Sequence, residues 1–475
     1  MKKVNEDLPA GRQVTPIIGL EVHVELKTNS KMFCSCNATH FHVDPNTHTC
    51  PICLGLLGAL PVPNKLAIDW CIKLGLALNC NINNNSFFER KHYFYPDLPK
   101  GYQITQLQKP IAVNGYLEID GQKIRINRAH MEEDAGKSIH EKGETLLDFN
   151  RSGVPLVEIV SEPDISSPEI AKKYLYRLQQ IIRYLGISDA DIEKGTMRCE
   201  PTVNLNIDGQ FTPLVEIKNI AGLSGAMDAI NYEIARQEKE FKETGEEKSK
   251  DNKTTRGWDA DKRESYELRQ KGDAADYRYF PEPDIPPFEF SQQKIDEIKK
   301  EIPEMPDQKI AKYIYWGISA IDAESIIDNQ NFATCFDKAV GENTKNAKQI
   351  ANLFLGPLKV ELEIDKINPL YFADLVESLN KNEISATVAK QIILESYRTD
   401  KHPIEIAKDK NLLQISNTGE LEKFAKQVIS NNQKAVDDYH KNPNSIGFLV
   451  GQVMKASGGT ANPTMVKEIL EKFLK

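Results

Sequence analysis

The chain has 475 residues, 40% hydrophobic and 27% charged, with a formal net charge of −9. That length exceeds one ordinary domain, and the ordinary apolar fraction argues for cores of normal size. No apolar run approaches the roughly 20 residues of a membrane span, and the acidic balance argues against a non-specific nucleic-acid binder.

The opening MKKVNEDLPAGRQ has no apolar stretch after its lysines, so it does not read as a secretory signal and a cytoplasmic chain is expected. Residues 1–292 are rich in Gly, Pro, aromatics and short alternating runs. They read as an α+β domain of antiparallel strands joined by turns. The PEPDIPP run, Pro281 to Pro287, is a natural boundary, because successive prolines resist helix and central strand alike. After it, residues 293–405 read as a helical domain and 406–475 as a small helical tail domain. Residues 401–475 hold 11 Lys and 8 acidic residues, net +3 against −12 for the rest. That asymmetry alone does not make the tail an RNA binder. The polar, charged Lys239–Lys262 segment reads as a mobile loop.

In the first domain, GLEVHVEL (Gly19 to Leu26) alternates strictly. Period two puts Leu20, Val22, Val24 and Leu26 on one sheet face and Glu21, His23 and Glu25 on the other. Next, CSCNATHFHVDPNTHTCPIC supplies Cys34-x-Cys36 and Cys50-x-x-Cys53. Two close thiol pairs suit a structural tetrahedral zinc with no open position. His40, His42 and His48 lie between them and compete as ligands. Further on, RKHYFYPDLPKGYQ (Arg90 to Gln103) interleaves basic and aromatic residues, a composition that suits phosphate contact and base stacking. Packing on the core is the other reading for Tyr93 and Tyr95.

RAHMEEDAGK (Arg128 to Lys137) holds His130, Glu132, Glu133 and Asp134, and NRSGVPLVEIVSEPD places Glu158 inside an apolar run. A lone carboxylate there is costly unless it is paired or metal-bound. Together these segments offer oxygen and imidazole ligands for Mg²⁺. There is no Walker A motif and no dinucleotide glycine fingerprint. In the tail, Asn462 and Pro463 read as the N-cap and first residue of a last helix, with Val466, Ile469, Leu470, Phe473 and Leu474 on one stripe. Gly447 and Gly451 share a helix face, which reads first as close helix packing.

The ordered string IGLEVHVEL, FCSC, CPICLGLLGALPVPN, RKHYFYPDLPKGYQITQ, RAHMEEDAGK, RSGVPLVEIVSEPD, MRCEPTVN, EIKNI, YEIARQ, ADYRYFPEPDIPP and GFLVGQVMK resembles the tRNA-binding, ATP-using subunits of tRNA-dependent aspartyl/glutamyl amidotransferases. The resemblance runs from Pro16 to the C-terminus. It implies a cradle similar to glutamine synthetase, then the helical and tail domains, the tail touching tRNA. It implies ATP- and Mg²⁺-dependent phosphorylation of the side-chain carboxylate of misacylated Glu-tRNA(Gln) or Asp-tRNA(Asn). Ammonia from a separate amidase subunit would then complete amidation, and a small third subunit would tie the two larger ones into a heterotrimer. By the same resemblance Glu21, His23, Glu133 and Glu158 take catalytic, metal or phosphate duties, with Glu132 as substitute. Lys91, Tyr93, Tyr95, Arg278 and Lys455 are candidates for tRNA or ammonia-passage contacts. Glu200 stands where the family pattern has Asp. Two other readings compete: a zinc-bearing tRNA-binding module without catalysis, and a stand-alone ligase acting on free amino acids.

Overall fold

The computed structural model describes residues 13–269, 277–356, 368–413 and 418–474. Most of the opening MKKVNEDLPAGRQ segment, and Ala275 and Asp276 of the ADYRYFPEPD run, lie outside the described residues. The chain divides into two compact units, Met1–Met305 and Pro306–Lys475. The first extends past residue 292 because the helix Gln292–Lys300 buries Ile295 and Ile298, and Lys294 bonds Asp69 at 2.9 Å.

The first unit is built on a ten-stranded sheet. Its centre consists of β1 (Val14–Glu25), β2 (Gln122–Glu133), β3 (Pro155–Ser161), β4 (Met197–Ile207) and β5 (Val215–Lys218), in the spatial order β5-β4-β1-β3-β2. All four neighbouring pairs among these are antiparallel. Beyond β5 lies Thr254–Asp259, which pairs with it in parallel, so the sheet is not antiparallel throughout. The strand spans residues expected to form a mobile loop. The other end of that segment, Lys239 to Thr244, completes a helix.

Alternation sorts the faces. Ile18, Leu20, Val22 and Val24 of β1 are fully buried, as are Ala129 and Met131 of β2, Val157 and Ile159 of β3, and Val203 of β4. They pack under helices α1 (Lys65–Ala77), α2 (Pro168–Leu185) and α3 (Gly222–Thr244) in one core. A face dominated by β-branched and aliphatic side chains must be covered in this way. Local chemistry fixes each helix's limits: in α2, Ser167 accepts from Ile170 N–H at 3.2 Å, Pro168 opens the helix, and Gly186 closes it at φ 70°. The face away from the helices carries the charged set.

A three-stranded sheet, Phe280–Pro281, Glu89–His92 and Tyr102–Thr105, lies at the end of β2. Its hinge is Arg90, which pairs with Glu282 at 2.7 and 2.9 Å and lies 4.2 Å from the Tyr102 ring centroid. The PEPD run is therefore tied down by charge as well as by its prolines.

The described residues of the second unit are helical. One packed group sets Tyr313 edge-to-face against Phe336 and Phe336 edge-to-face against Phe354, with Phe354 tilted over Phe372; the centroids are 5.1, 5.4 and 4.1 Å apart. Leu421 to Leu474 form a separate core cluster. There Asn462 caps the last helix, accepting from Thr464 N–H at 3.0 Å, with Val466, Ile469, Leu470 and Leu474 buried. Gly447 and Gly451 are exposed, and a Cβ on either would meet open space. The expected close packing at these glycines is thus absent among the described residues.

Candidate active site

Strand register builds the site. His23 on β1 stands opposite Glu158 on β3, which stands opposite His130 on β2. Two positions along β2 from His130, and so on the same face, is Glu132. His23 Nε2 lies 3.8 Å from both Glu132 and Glu158, and His130 Nε2 lies 3.4 Å from both. Ligand atoms of His23, Glu132 and Glu158 all fall within 4.8 Å of one another. Arg128, on the same face of β2, reaches within 3.8 Å of Glu158. Thr105 and Gln103 from the small sheet fix Glu132 at 2.9 and 3.2 Å.

Glu133 is not in this constellation. Period two turns it to the other side of β2, where it accepts from Ile104 N–H at 3.0 Å and pairs with the Lys100 ammonium. The site geometry therefore reverses the expected ranking of Glu133 and Glu132. Glu21 lies on the site's face but groups with Glu200 and Glu216. Lys218 bonds Glu200 at 2.5 Å and Glu216 at 3.0 Å, and Lys253 bonds Glu216 at 3.0 Å. Glu200 keeps a carboxylate at the position where the family pattern has Asp.

The electrostatics are uneven. Burial pushes the Glu158 carboxyl well above its usual range, and the Glu132 and Glu21 charges add to this. Burial would raise Glu132 too, but His130, Lys91 and His23 outweigh it and hold that carboxyl well below its usual range. Burial also lowers His23 and His130, which favours neutral imidazoles. Two atoms beside the carboxylates, Arg128 Nε and His130 Nδ1, are buried without a hydrogen-bond partner. Two carboxylates, one of them hard to ionise, and an imidazole form an oxygen-rich set that a divalent cation would satisfy.

Lys91 lies within 5.9 Å of the Tyr93 ring centroid and 5.1 Å of Tyr277. Its charge also acts on Glu132 and Glu158. Tyr93 is half-buried, while Tyr95 stands largely exposed, so packing on the core does not explain Tyr95. Arg278 is exposed with φ 42°, and its carbonyl lies 3.2 Å from His92 Nδ1. Lys455 is exposed in the last turn of the helix Ile446–Ala456, in the second unit.

The sulfur atoms of Cys34, Cys36, Cys50 and Cys53 lie within 4.8 Å of one another. Hydrogen bonding from Cys34 and from the Cys50 N–H draws the Cys53 thiol down to about 5 despite burial, with Lys31 assisting. The quartet can therefore hold a metal ion. The intervening histidines are turned elsewhere: His40 to Glu25 at 2.8 Å and His48 to the Thr39 carbonyl at 2.6 Å, while His42 is exposed.

Sequence reasoning overlooked Arg128 and Arg198 as site residues and named His130 among possible ligands without giving it a role. Arg198 stands opposite His23 and bonds Asp134 at 2.7 Å. Their signal was the same alternation that marked β1, applied to RAHMEE and MRCE.

A charged sheet face with clustered carboxylates and an imidazole, backed by a helix-covered apolar face, could hold a divalent cation. Family comparison agrees on a particular lineage. The GatB/GatE catalytic domain matches residues 16–296, and the GatB domain matches 334–474. The chain is 44% identical to the B subunit of the aspartyl/glutamyl-tRNA(Asn/Gln) amidotransferase of Persephonella marina, covering 97% of this chain and 99% of that protein. It is 43% identical to the protein of the same name from Thermosipho melanesiensis, with 97% and 99% covered. For that of Carboxydothermus hydrogenoformans the identity is 43%, with 98% and 99% covered. The chain belongs to the GatB/GatE family. No helix among the described residues is long and apolar enough to cross a membrane.

Proposed function

We propose that this chain is the tRNA-directed, ATP-using subunit of an aspartyl/glutamyl-tRNA amidotransferase, working in a heterotrimer with an amidase and a small third protein. The first unit acts as a cradle of glutamine synthetase type, and in the second unit residues 306–405 serve as a helical domain and 406–475 as a tRNA-contacting tail. The observation that carries this reading is the grouping of His23, Glu132 and Glu158 on the face of the sheet away from the helices.

The substrate side-chain carboxylate is a poor acylating agent. Its oxygen attacks the γ-phosphorus of ATP, ADP leaves, and an acyl phosphate results. Ammonia then adds to the carbonyl carbon, and phosphate departs with the C–O bonding pair. Such transfers depend mostly on positioning and charge neutralisation. His23, Glu132 and Glu158 would hold Mg²⁺, which neutralises phosphoryl oxygens when bound. Arg128 and Lys91 bring further positive charge to the same face. Glu21, with Glu200 and Glu216, borders the site. Glu133 acts through Lys100 and not as a ligand. Tyr93, Tyr95, Arg278 and Lys455 contact tRNA or line the ammonia passage. Cys34, Cys36, Cys50 and Cys53 hold a structural Zn²⁺, and the complex works in the cytoplasm.

The test is ATP hydrolysis by the heterotrimer, with Glu-tRNA(Gln), Asp-tRNA(Asn) or uncharged tRNA added. Turnover with a misacylated tRNA alone, giving amidated product when glutamine is present, is expected and names the substrate. Tight tRNA binding without turnover would favour a non-catalytic binding module. Turnover independent of charged tRNA would favour a ligase for free amino acids.

A further inference from the structure

A cavity of about 390 Å³ opens between α3 and the sheet edge built from β5, β6 (Thr254–Asp259) and β7 (Glu264–Arg269). It lies on the helix side of the sheet. Val215, which lines it, and Ile217 are buried in the helix-covered core, and Thr254 and Arg256 stand opposite them in register. Glu216, between those two residues of β5, turns to the other face, where it groups with Glu21 and Glu200. No step of the proposed phosphoryl transfer uses this cavity, and its size suits a small metabolite.

The floor of the cavity is chemically complete. The buried Glu233 accepts from Arg236 at 2.7 Å and from Gln237 at 2.9 Å. Gln237 in turn accepts from the Thr212 hydroxyl at 2.5 Å, and the Asn252 amide donates to Glu246 at 3.0 Å. Val215 and Phe241 add apolar wall. The sheet-edge side is different. Arg256 donates from Nε and Nη2 to Ser265 at 2.7 Å each, but its Nη1 has no partner among the described residues. The Thr254 hydroxyl, two positions away on the same face, has none among them either. Glu267 stands opposite Arg256 in the β6–β7 register, yet the two side chains do not pair, and no cation among the described residues reaches Glu267. The register shifts beside Arg256, an irregularity that re-aims side chains. Opposite charges facing each other across two strands ordinarily attract and close.

Charges held apart at a cavity fit a ligand that carries both. A phosphate or nucleotide would find one open guanidinium edge among Glu240, Glu246 and Glu267, a repulsive set. A simple amine would suit the carboxylates but leave Arg256 Nη1 unmatched. An α-amino acid meets both needs. Its carboxylate takes Arg256 Nη1 and the Thr254 hydroxyl, and its ammonium takes Glu267 and the Glu240 oxygen that Arg236 leaves open. The cavity also has a mechanical link to the charged face. β5 and β6 run side by side from Val215 and Thr254. Lys253, the residue before Thr254, bonds Glu216, the residue after Val215, at 3.0 Å. A ligand wedged against Val215 and Thr254 therefore acts on an ion pair of the Glu21, Glu200 and Glu216 group.

We propose that this cavity is a binding site for a free α-amino acid, which regulates the reaction and does not feed it; the regulatory part rests on the amidotransferase reading above. Binding is measured by calorimetry on the full chain alone, away from the glutamine-hydrolysing partner, with the standard amino acids, putrescine and inorganic phosphate as titrants. Expected is saturable binding of at least one amino acid, weakened about tenfold in Glu267→Gln and in Thr254→Val, as loss of one hydrogen bond to a charged group predicts. Both variants should unfold at the wild-type midpoint, since neither side chain has a partner among the described residues. In the heterotrimer the same amino acid should change ammonium-supported, tRNA-dependent ATP turnover by about twofold or more. Glu267→Gln should abolish that response and leave basal turnover unchanged. No amino-acid binding, or binding that both variants leave intact, would overturn the proposal. So would binding of putrescine or phosphate in an amino acid's place. Binding with no effect on turnover would overturn the regulatory part. Absence of any tRNA-dependent turnover in the wild type would remove the amidotransferase reading, and the calorimetry would still decide the site.

Discussion

Replacing Glu132 and Glu133 separately by Gln should split two properties that adjacent positions rarely separate. Glu133 faces Lys100, whose side chain is 8% exposed, and also accepts from Ile104 N–H at 3.0 Å. Gln keeps an acceptor for Ile104 but leaves the ammonium without its counter-charge. Breaking a buried pair on one side costs about 3–5 kcal/mol. With one hydrogen bond retained, a loss of about 2–3 kcal/mol is expected for Glu133→Gln. Glu132 has the opposite balance. Its neighbours are Thr105, Gln103 and two imidazoles, and a second carboxylate, Glu158, is strained by its charge. Glu132→Gln removes that repulsion together with the attraction of His130, Lys91 and His23 for the carboxylate; the two losses oppose each other, so metal-free stability should change by less than about 1 kcal/mol. Catalysis should suffer instead: loss of a charged group acting on the transition state costs about 100- to 1,000-fold. The assay pairs denaturant unfolding of the metal-free chain with Mg²⁺ titration of tRNA-dependent ATP turnover in the full complex. Glu132→Gln should raise the Mg²⁺ half-saturation and leave the unfolding midpoint nearly fixed, and Glu133→Gln should do the reverse. Full turnover in Glu132→Gln, or its loss in Glu133→Gln at unchanged stability, would refute the face assignment.

Glu216 gives a pH signature. Burial would raise its carboxyl, but Lys218 and Lys253 overcome that and hold it at about 2 instead of 4.5. A depressed carboxyl stabilises above its unfolded value, and that stability, on the order of 3 kcal/mol, is lost as pH falls from about 4.5 towards 2. Glu216→Gln should flatten this part of the stability–pH curve measured by urea unfolding, and an unchanged slope would count against the ion pairs. Cys53→Ser should abolish binding of about one zinc per chain, read by metal analysis of the purified protein, and should expose the Cys34–Cys53 segment to limited proteolysis. Retention of full metal content would exclude the thiol quartet. Gly451→Ala should stabilise the tail by about 1 kcal/mol, because the residue is inside a helix and its Cβ meets open space. A fall in the tail's thermal midpoint would mean that a neighbour needs the missing Cβ.

Features written in short-range pattern were legible in the sequence. The alternation of GLEVHVEL assigned both faces of β1, the cap at Asn462 located the last helix, and the cysteine spacing anticipated the quartet. What escaped depends on partners distant in the chain. Glu21 meets Glu200 through the β1–β4 register and Glu216 through β5, and no local pattern encodes those pairings. Glu132 and Glu133 are indistinguishable in composition. Their roles separate only when the face of β2 is known, and Ala129 and Met131 in the core decide it. The end of α3 was hidden by its charge. Among its lysines and glutamates, Glu233, Gln237 and Phe241 turn inward at helical spacing, and the buried Glu233 is held by Arg236 at 2.7 Å and Gln237 at 2.9 Å.

The arrangement of charge on the face away from the helices explains why such an awkward group survives. Burial makes Glu158 resist ionising, and the nearby Glu132 and Glu21 charges add to this, a cost that closer cations could have reduced. Arg128 approaches no nearer than 3.8 Å to Glu158, while Arg198 and Lys218 are committed to Asp134 and to Glu200 with Glu216. The face thus keeps carboxylates at its centre with no lysine or arginine among the described residues at hydrogen-bond distance, and cations around them. Full internal neutralisation would make the metal-free protein more stable, but it would leave nothing for an incoming cation to satisfy. A centre with carboxylates left for a divalent ion, ringed by positive side chains, is thus held on a sheet backed by the three helices behind it.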